Sequence, residues 1–359
     1  MVSKTDMKTP YISTKQKIAN PFINATSRLG FLNAYGTLKK YFGSQIVILT
    51  YHRIGPDNNT WLLPPTSVTD FEKQMVYLSK THKIMSLNKL AEDLQEGKSL
   101  KEKIAVVTFD DGYKDSYLYA FPILKKYKIP ATIFLITGHI NKGDLFWFDK
   151  IKYLLWNTKI KKFELDNIGE FLLDSIDNKL KSMLILVEKL KKIPNENKNN
   201  ILKELEDICD INILSGLGKD FILSWDEIIE MKEYGINFGS HTVTHPILTR
   251  VSLDRARFEI SKSKKDIEKR LNQNINTFCY PNGTAEDFNN EIIEIIKNSG
   301  FSCAVTTIPI INSSNTDLYK LGRMFDPWSF DSFKFLTSGL YSDATNILNH
   351  IRRLNVNLS

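Results

Sequence analysis

The chain has 359 residues, of which 42% are hydrophobic and 25% charged, which is typical of a folded protein of one large or two smaller domains. This composition excludes a disordered chain, a collagen-like repeat and a coiled coil. The three cysteines, Cys209, Cys279 and Cys303, are too far apart in sequence for a disulfide framework or a cysteine zinc site.

The formal net charge of +7 is concentrated in residues 1–44, which hold seven basic side chains and one acidic one. The nearly neutral remainder argues against a nucleic-acid partner. We find neither the apolar run of a secretory signal nor one long enough to span a membrane, and therefore expect a cytoplasmic protein. The basic arm is expected to be partly helical. It either lies at the inner face of a membrane, as a peripheral contact, or packs on the following domain.

From residue 45 onwards, short apolar runs alternate with amphipathic stretches, which is the pattern of an α/β fold. The apolar runs are rich in β-branched and aromatic residues, and this predicts strands buried on both faces. The predicted strands are 46–51, 104–109, 131–136, 236–239, 277–280 and 302–306.

Capping signals mark helices between these strands. Ser224 and Glu227 form a capping box ahead of one helix, and Gly235 can end that helix. Thr284 and Asp287 are predicted to open another helix.

One long segment, residues 144–223, interrupts the alternation with helical spacing and few strand signals. We interpret it as a helical insertion within a catalytic domain over residues 45–340. Residues 253–271 are predicted to form a charged amphipathic helix, and residues 341–359 a C-terminal helix.

Two adjacent carboxylates, Asp110 and Asp111, follow the predicted strand 104–109 and precede Gly112. Ligands of open α/β sheets and barrels bind at the carboxyl ends of strands, so both acids are expected to face a site. Neighbouring carboxylates repel each other unless a cation binds one and leaves the other free to accept a proton. The alternative is a solvated turn.

Two histidines, His241 and His245, follow the predicted strand 236–239 at a spacing of four residues. This spacing brings both imidazoles to one side of a helix or tight loop. Two imidazoles and one carboxylate can hold a divalent metal while leaving coordination positions open, which is typical of a catalytic rather than a structural site. The alternative is a pair of histidines that cap a loop.

The stretches TFDDGY at 108–113 and SHTVTHP at 240–246 resemble the first two motifs of the polysaccharide deacetylases, the NodB-like members of carbohydrate esterase family four. The resemblance implies a distorted, incomplete (β/α) barrel and metal-dependent hydrolysis of N-acetyl groups on sugars.

Carried over residue by residue, the resemblance implies that Asp111, His241 and His245 bind the metal and that Asp110 is the general base. The metal that we expect is Zn²⁺, and Co²⁺, Ni²⁺ or Mn²⁺ are alternatives. The backbone N–H of Tyr113 is expected to stabilise the oxyanion.

The third motif departs from the common family pattern, because the segment FCYPNG at 278–283 lacks its arginine. This form resembles the subgroup of poly-N-acetylglucosamine deacetylases, in which the motif order is circularly permuted. The resemblance implies substrate contacts at Tyr280, Pro281 and Asn282. Arg323 is the candidate for the missing arginine that orients the base, and a surface arginine is the alternative.

Two histidines compete for the role of general acid. His52 lies at the carboxyl end of the first predicted strand, where the permuted subgroup carries its acid, and we prefer it. His350 lies in the predicted C-terminal helix and is the alternative. An imidazolium has the pKa range needed to protonate a departing amine.

The sequence therefore predicts a metal-dependent deacetylase of an N-acetylated amino sugar in a cell-envelope glycan or in its lipid-linked precursor. Two alternatives stay open. One is a catalytically silent protein for glycan binding or assembly, and the other is an amidohydrolase that acts on a non-sugar amide.

Overall fold

The structure, a computed structural model, describes residues 45–56, 65–214, 216–325 and 329–338. The chain divides into two units, of which Gly43–Asp326 is the larger. The smaller unit comprises Met1–Phe42 and Pro327–Ser359, and its described part is residues 329–338. The predictions for the basic arm over 1–44 and for a helix over 341–359 lie outside the described residues.

Ten strands lie within the described residues, and eight of them form one sheet. In chain order they are β1 Gln45–Tyr51, β2 Lys83–Ile84, β3 Lys103–Phe109, β4 Ala131–Leu135, β5 Lys162–Leu165, β6 Gly169–Leu172, β7 Asn237–Ser240, β8 Thr277–Cys279, β9 Cys303–Val305 and β10 Met324–Phe325. The order across the large sheet is β10-β1-β3-β4-β7-β8-β9, and β2 pairs with the start of β3. All of these pairs are parallel, so each connection must cross over the sheet.

Helices supply most of these crossovers, and most of them begin after a Ser or Asn whose side chain accepts an amide of the first turn, as Ser67 and Asn289 do. They are α1 Val68–Thr81, α2 Leu87–Gln95, α3 Phe121–Tyr127, α4 Trp147–Asn157, α5 Ile176–Leu190, α6 Asn195–Cys209, α7 Trp225–Glu233, α8 Leu253–Leu271, α9 Asn290–Asn298 and α10 Phe330–Thr337. None of the described helices is long and apolar enough to cross a lipid bilayer.

The predicted incomplete (β/α) barrel is confirmed. All six predicted strands belong to the large parallel sheet, and their ends agree within one or two residues. A bridge between Val305 and Leu321 links β9 to the segment that leads into β10, which pairs with β1. The two ends of the sheet therefore approach each other, and the sheet curls. The capping box at Ser224 and Glu227 is also confirmed.

Two local predictions are wrong. The segment 144–223 is not wholly helical, because β5 and β6 form an antiparallel hairpin between α4 and α5. The helix expected to open at Thr284 begins instead after Asn289. The amide and hydroxyl of Thr284 both donate to Asp287, so the two residues close a turn before the helix.

The core of the sheet fixes where its polar edge lies. Ile46 and Ile48 of β1 and Ile104 and Val106 of β3 are fully buried in one hydrophobic cluster. Because the strands are parallel and in register, the residues that follow β1, β3, β7 and β8 all emerge at the same edge. This edge is where the sequence places its candidate site.

Candidate metal centre and active site

Three strands deliver polar side chains to the carboxyl-terminal edge of the sheet. His52 follows β1, Asp110 and Asp111 follow β3, and His241 follows β7. The amide of Asp110 donates to the carbonyl of Tyr51 at 2.9 Å, so the ladder between β1 and β3 continues to the site. His52, both acids and His241 therefore lie at the ends of rigid strands, which fixes the positions of their side chains.

Asp111, His241 and His245 come together as a buried group that could hold a metal ion. Asp111 Oδ1 lies 3.5 Å from His241 Nε2 and 3.6 Å from His245 Nε2, and the two Nε2 atoms lie 3.2 Å apart. Ligands of a tetrahedral zinc ion, at bond lengths of about 2.0–2.1 Å, lie roughly 3.3 Å from one another. One carboxylate oxygen and two imidazole nitrogens at this spacing therefore fit a small divalent cation.

The protonation of the two imidazoles also suits metal binding. His241 Nδ1 lies 2.8 Å from the carbonyl of Cys279, and we assign it as the donor, which leaves the lone pair of Nε2 facing the group. Burial lowers the pKa of His241 to about 4 and holds that of His245 well below its usual value. Both imidazoles are therefore neutral near pH 7, the form that binds metal ions.

The surroundings of Asp111 disfavour its ionised form. Burial and the carboxylate of Asp110 raise the pKa of Asp111 well above its usual value, and a bound cation would favour its ionised form. Its backbone is left-handed, with a φ of 70°, and Gly112 follows with a φ of 73°. A Cβ added at Gly112 would lie 3.0 Å from Leu135 Cδ2, so this tight turn favours glycine on both counts.

The loop that carries the histidines is held by Glu259 of α8, which sequence reasoning missed. The carboxylate of Glu259 is fully buried and accepts the amides of Val243 and Thr244 at 2.8 and 2.9 Å, and the Thr244 hydroxyl at 2.7 Å. Arg255 donates to it at 2.6 Å. These contacts fix a loop in which His245 itself has a left-handed φ of 57°.

A signal for Glu259 was present in the sequence. Glu259 shares the buried face of α8, which otherwise carries small or apolar residues, namely Ala256, Ile260, Ser263, Ile267 and Leu271. A charged residue on the buried face of an amphipathic helix needs a buried partner, and here the partner is the loop of the metal group.

Asp110 is held by Arg323. Nη1 and Nη2 of Arg323 donate to the two carboxylate oxygens of Asp110 at 2.7 and 2.6 Å, and Nε donates to the carbonyl of Thr306 at 2.9 Å. Arg323 is fully buried, so the alternative of a surface arginine is wrong. Burial would raise the pKa of Asp110, but the charge and hydrogen bonds of Arg323 outweigh it and hold that pKa well below its usual range.

His52 lies on the open side of Asp110. Its Nε2 is 3.9 Å from Asp110 Oδ2, and about a quarter of its side chain is exposed. Burial lowers the pKa of His52 and Arg323 lowers it further, whereas Asp110 raises it. The competing candidate, His350, lies outside the described residues.

The side chain of Tyr113 is engaged in the fold, whereas the predicted role of this residue concerns its backbone N–H. The Tyr113 hydroxyl donates to Asp149 of α4 at 2.8 Å, and the ring is buried beneath the guanidinium of Arg53. Burial raises the pKa of Asp149 to about 6. Among the described residues no acceptor receives the backbone N–H of Tyr113, so this amide remains available for the predicted oxyanion contact.

The remaining predicted site residues are largely engaged in the fold. Tyr280 is buried and its hydroxyl donates to the carbonyl of Tyr319 at 2.9 Å, while Pro281 is buried as well. The side-chain amide of Asn282 donates to Asp287 at 2.6 Å. Their side chains therefore shape the turn after β8, and the hydroxyl of Tyr280 does not face an open site.

Comparisons with known proteins agree with the resemblance drawn from the two motifs. A family model described as polysaccharide deacetylase matches residues 97–304. The poly-beta-1,6-N-acetyl-D-glucosamine N-deacetylase of Staphylococcus aureus (strain MSSA476) is 31% identical over 154 residues, covering 36% of this chain and 52% of that protein. The chain thus spans about half the length of this relative.

Two solved structures share the fold. The Streptococcus pyogenes deacetylase PplD has a TM-score of 0.56 at 22% identity, over 82% of this chain and 98% of that one. IcaB from Ammonifex degensii has a TM-score of 0.54 at 21% identity, over 82% and 97% of the two chains. At this level of identity the similarity establishes the architecture alone.

Proposed function

Because this chain belongs to the polysaccharide deacetylase family, we propose that it is a metal-dependent hydrolase that removes acetyl groups from an N-acetylated amino sugar. The observation that carries the proposal is the convergence of Asp111, His241 and His245, whose ligand atoms lie within 4.8 Å of one another. The neighbouring carboxylate, Asp110, is ionised and paired with Arg323, so a ligand group and a base stand side by side.

We assign Asp111, His241 and His245 as the ligands of a divalent metal ion. Zn²⁺ is the preferred ion, and Co²⁺, Ni²⁺ or Mn²⁺ are alternatives. When bound, such an ion supplies Lewis acidity, which lowers the pKa of water and polarises a carbonyl. The donor set supports this assignment, since three protein ligands leave coordination positions open for substrate and water.

The chain's own residues carry the proton transfers. Asp110 accepts the proton of the attacking water as its oxygen bonds to the acetyl carbon, and Arg323 fixes the carboxylate for this role. The amide of Tyr113 donates to the oxyanion that forms. His52 donates a proton to the amine nitrogen as the carbon–nitrogen bond breaks, which releases acetate and a free amino sugar.

The substrate class is an N-acetylated glycan of the cell envelope, and the similarity to a poly-beta-1,6-N-acetyl-D-glucosamine N-deacetylase supports it. A lipid-linked amino-sugar precursor of such a glycan is the alternative substrate. The membrane contact expected from the basic arm 1–44 stays a prediction, because the arm lies outside the described residues. The cytoplasmic location expected from the lack of a secretory signal stays a prediction as well.

The test is mass spectrometry of N-acetylglucosamine oligomers incubated with the zinc-loaded full chain. We expect release of acetate and replacement of acetyl groups by hydrogen, and we expect neither with Asp110→Asn. Turnover of simple acetamides in preference to oligomers would point to an amidohydrolase of non-sugar amides. Binding of oligomers without acetate release would contradict the proposed hydrolysis and favour a silent binding protein.

A further inference from the structure

A basic cleft lies beside the candidate metal centre, on the side of His245. The space in it that water can occupy is about 10 Å³, and it is formed by the start of α4, the junction of α5 with α6 and the loop after the histidines. Its polar lining consists of Trp147, Lys191, Asn195, Lys198 and Arg250. One water molecule needs about 10–15 Å³ by this measure, so the cleft admits a single oxygen atom of a bound group rather than a length of polymer.

The position of the cleft links it to the reacting centre. Trp147 adjoins Phe148, whose ring lies 5.5 Å from the ring of His245. Ile247, which also lines the cleft, lies two residues after His245. On the other side, Lys191 is close enough to His52 for its charge to lower the pKa of His52. A group in this cleft would therefore lie next to the sugar that carries the reacting acetamide.

The cleft holds a cation that has no counter-charge. Lys198 is only 5% exposed, and its ammonium lies 4.6 Å from the centre of the Trp147 ring. Within the described residues Lys198 has neither an ion pair nor a side-chain hydrogen bond. The carboxylate of Glu259 raises the pKa of Lys198, but it already accepts hydrogen bonds from Val243, Thr244 and Arg255. A buried ammonium without an acceptor is costly, and burial lowers the pKa of Lys198 to about 8.

Two further donors of the cleft lack acceptors. Among the residues that the structure describes, Trp147 Nε1 and Arg250 Nε are buried without a hydrogen-bond partner. Lys191 differs, because it pairs with Glu188 at 2.7 Å. Native proteins rarely leave buried donors unpaired, so these two donors, together with the ammonium of Lys198, indicate a ligand that accepts hydrogen bonds and carries negative charge.

We infer that this cleft is a subsite for an oxyanion, a carboxylate or a phosphate ester, on the sugar next to the one that loses its acetyl group. The inference rests on the proposed function, because it extends the same binding site by one sugar. It names the substrate as an acidic N-acetylated glycan rather than a neutral homopolymer. Lys198, Arg250 and the indole of Trp147 are the groups that would hold the anion.

The first test compares matched oligosaccharides that are neutral, carry a carboxylate or carry a phosphate ester beside the N-acetylated sugar. For each, kcat/KM is measured with the zinc-loaded full chain. We expect the acidic-to-neutral ratio to fall about tenfold or more in Lys198→Met, and to be restored in Lys198→Arg. Lys203→Met on the same helix is the matched control, because Lys203 is exposed, and its ratio should equal that of the wild type. Whichever acidic oligosaccharide, the one with a carboxylate or the one with a phosphate ester, gives the larger acidic-to-neutral ratio of kcat/KM identifies the anion.

The second test needs no turnover. Inorganic phosphate is titrated calorimetrically into the metal-free full chain, where no metal competes for it. We expect binding that Lys198→Met abolishes and Lys203→Met retains. Equal substrate ratios in wild type and Lys198→Met, with no phosphate binding, would overturn the subsite while leaving deacetylation intact. Phosphate binding that depends on Lys198, in a protein that deacetylates none of the oligosaccharides, would overturn the proposed function, and with it the assignment of the cleft to a neighbouring sugar, while leaving an anion site at Lys198.

Discussion

The pair formed by Asp110 and Arg323 makes the sharpest prediction for stability. Replacing Arg323 with Met removes the two charged hydrogen bonds at 2.7 and 2.6 Å and leaves a buried carboxylate without its counter-charge. Removing one partner of a buried ion pair costs about 3–5 kcal/mol, a large share of the roughly 5–15 kcal/mol that stabilises a domain. We expect Arg323→Met to lose stability of this size.

The double variant Asp110→Asn with Arg323→Met removes both charges together. It should be more stable than the sum of the single losses implies, with a coupling energy of about 2 kcal/mol or more. Arg257→Met is the matched control, because Arg257 is exposed on α8, and its loss should stay within about 0.5 kcal/mol. If Arg323→Met does not fold, Arg323→Lys retains the charge without the two-pronged contact and should lose an intermediate amount.

Urea unfolding of the metal-free full chain, followed by circular dichroism, measures these losses. The folded-state pKa of Asp110 is held below its unfolded value of about 3.9, so the stabilisation by the pair is present above that pH and is lost as the pH falls further. In Arg323→Met, burial raises the pKa of Asp110 without opposition from Arg323, so the loss should be larger at pH 8 than at pH 5, where the carboxyl group takes up a proton more easily. A loss below about 1 kcal/mol, or additive single losses, would refute the buried ion pair.

Three further predictions concern the surroundings of the site. Glu259→Ala removes the acceptor of the loop amides and should weaken zinc binding about tenfold or more in a chelator competition, whereas Glu259→Gln should weaken it less. Equal zinc affinities in the wild type and Glu259→Ala would show that Glu259 does not hold the histidine loop in place. Because Asp110 raises the pKa of His52, Asp110→Asn should lower it in an NMR titration of the imidazole, and an unchanged or higher pKa would contradict the 3.9 Å contact. Burial raises the pKa of Cys279 well above its usual value, so iodoacetamide should label it only after unfolding, and labelling of the native protein would contradict its burial.

The fold was largely predictable because its strands are buried on both faces and so appear in the sequence as short apolar runs. The hairpin of β5 and β6 escaped prediction because each strand has only four residues, and its alternating pattern is set among helical spacings. The two-residue strands β2 and β10 are too short to give any periodic signal. Thr284 and Asp287 carry the residue types of a helix cap, yet the same side chains can close a turn, as they do here.

The site was predictable where its residues follow strands in compact motifs. Asp110, Asp111 and His241 all lie directly after a predicted strand, so parallel pairing alone brings them to one edge. Arg323 and Glu259 act across long sequence separations, and their partners follow from packing rather than from local pattern. Burial decides their roles: Arg323 has its counter-charge in Asp110, and the carboxylate of Glu259 is satisfied by two loop amides.

The central claim is that the carboxylate of Asp111 and the imidazoles of His241 and His245 together bind one metal ion. Metal content per chain, measured by plasma mass spectrometry after zinc loading and desalting, tests it most directly. We predict one zinc in the wild type and in Asp110→Asn, and none in Asp111→Ala or His241→Ala. One zinc retained in Asp111→Ala, or zinc lost from Asp110→Asn alone, would contradict the account.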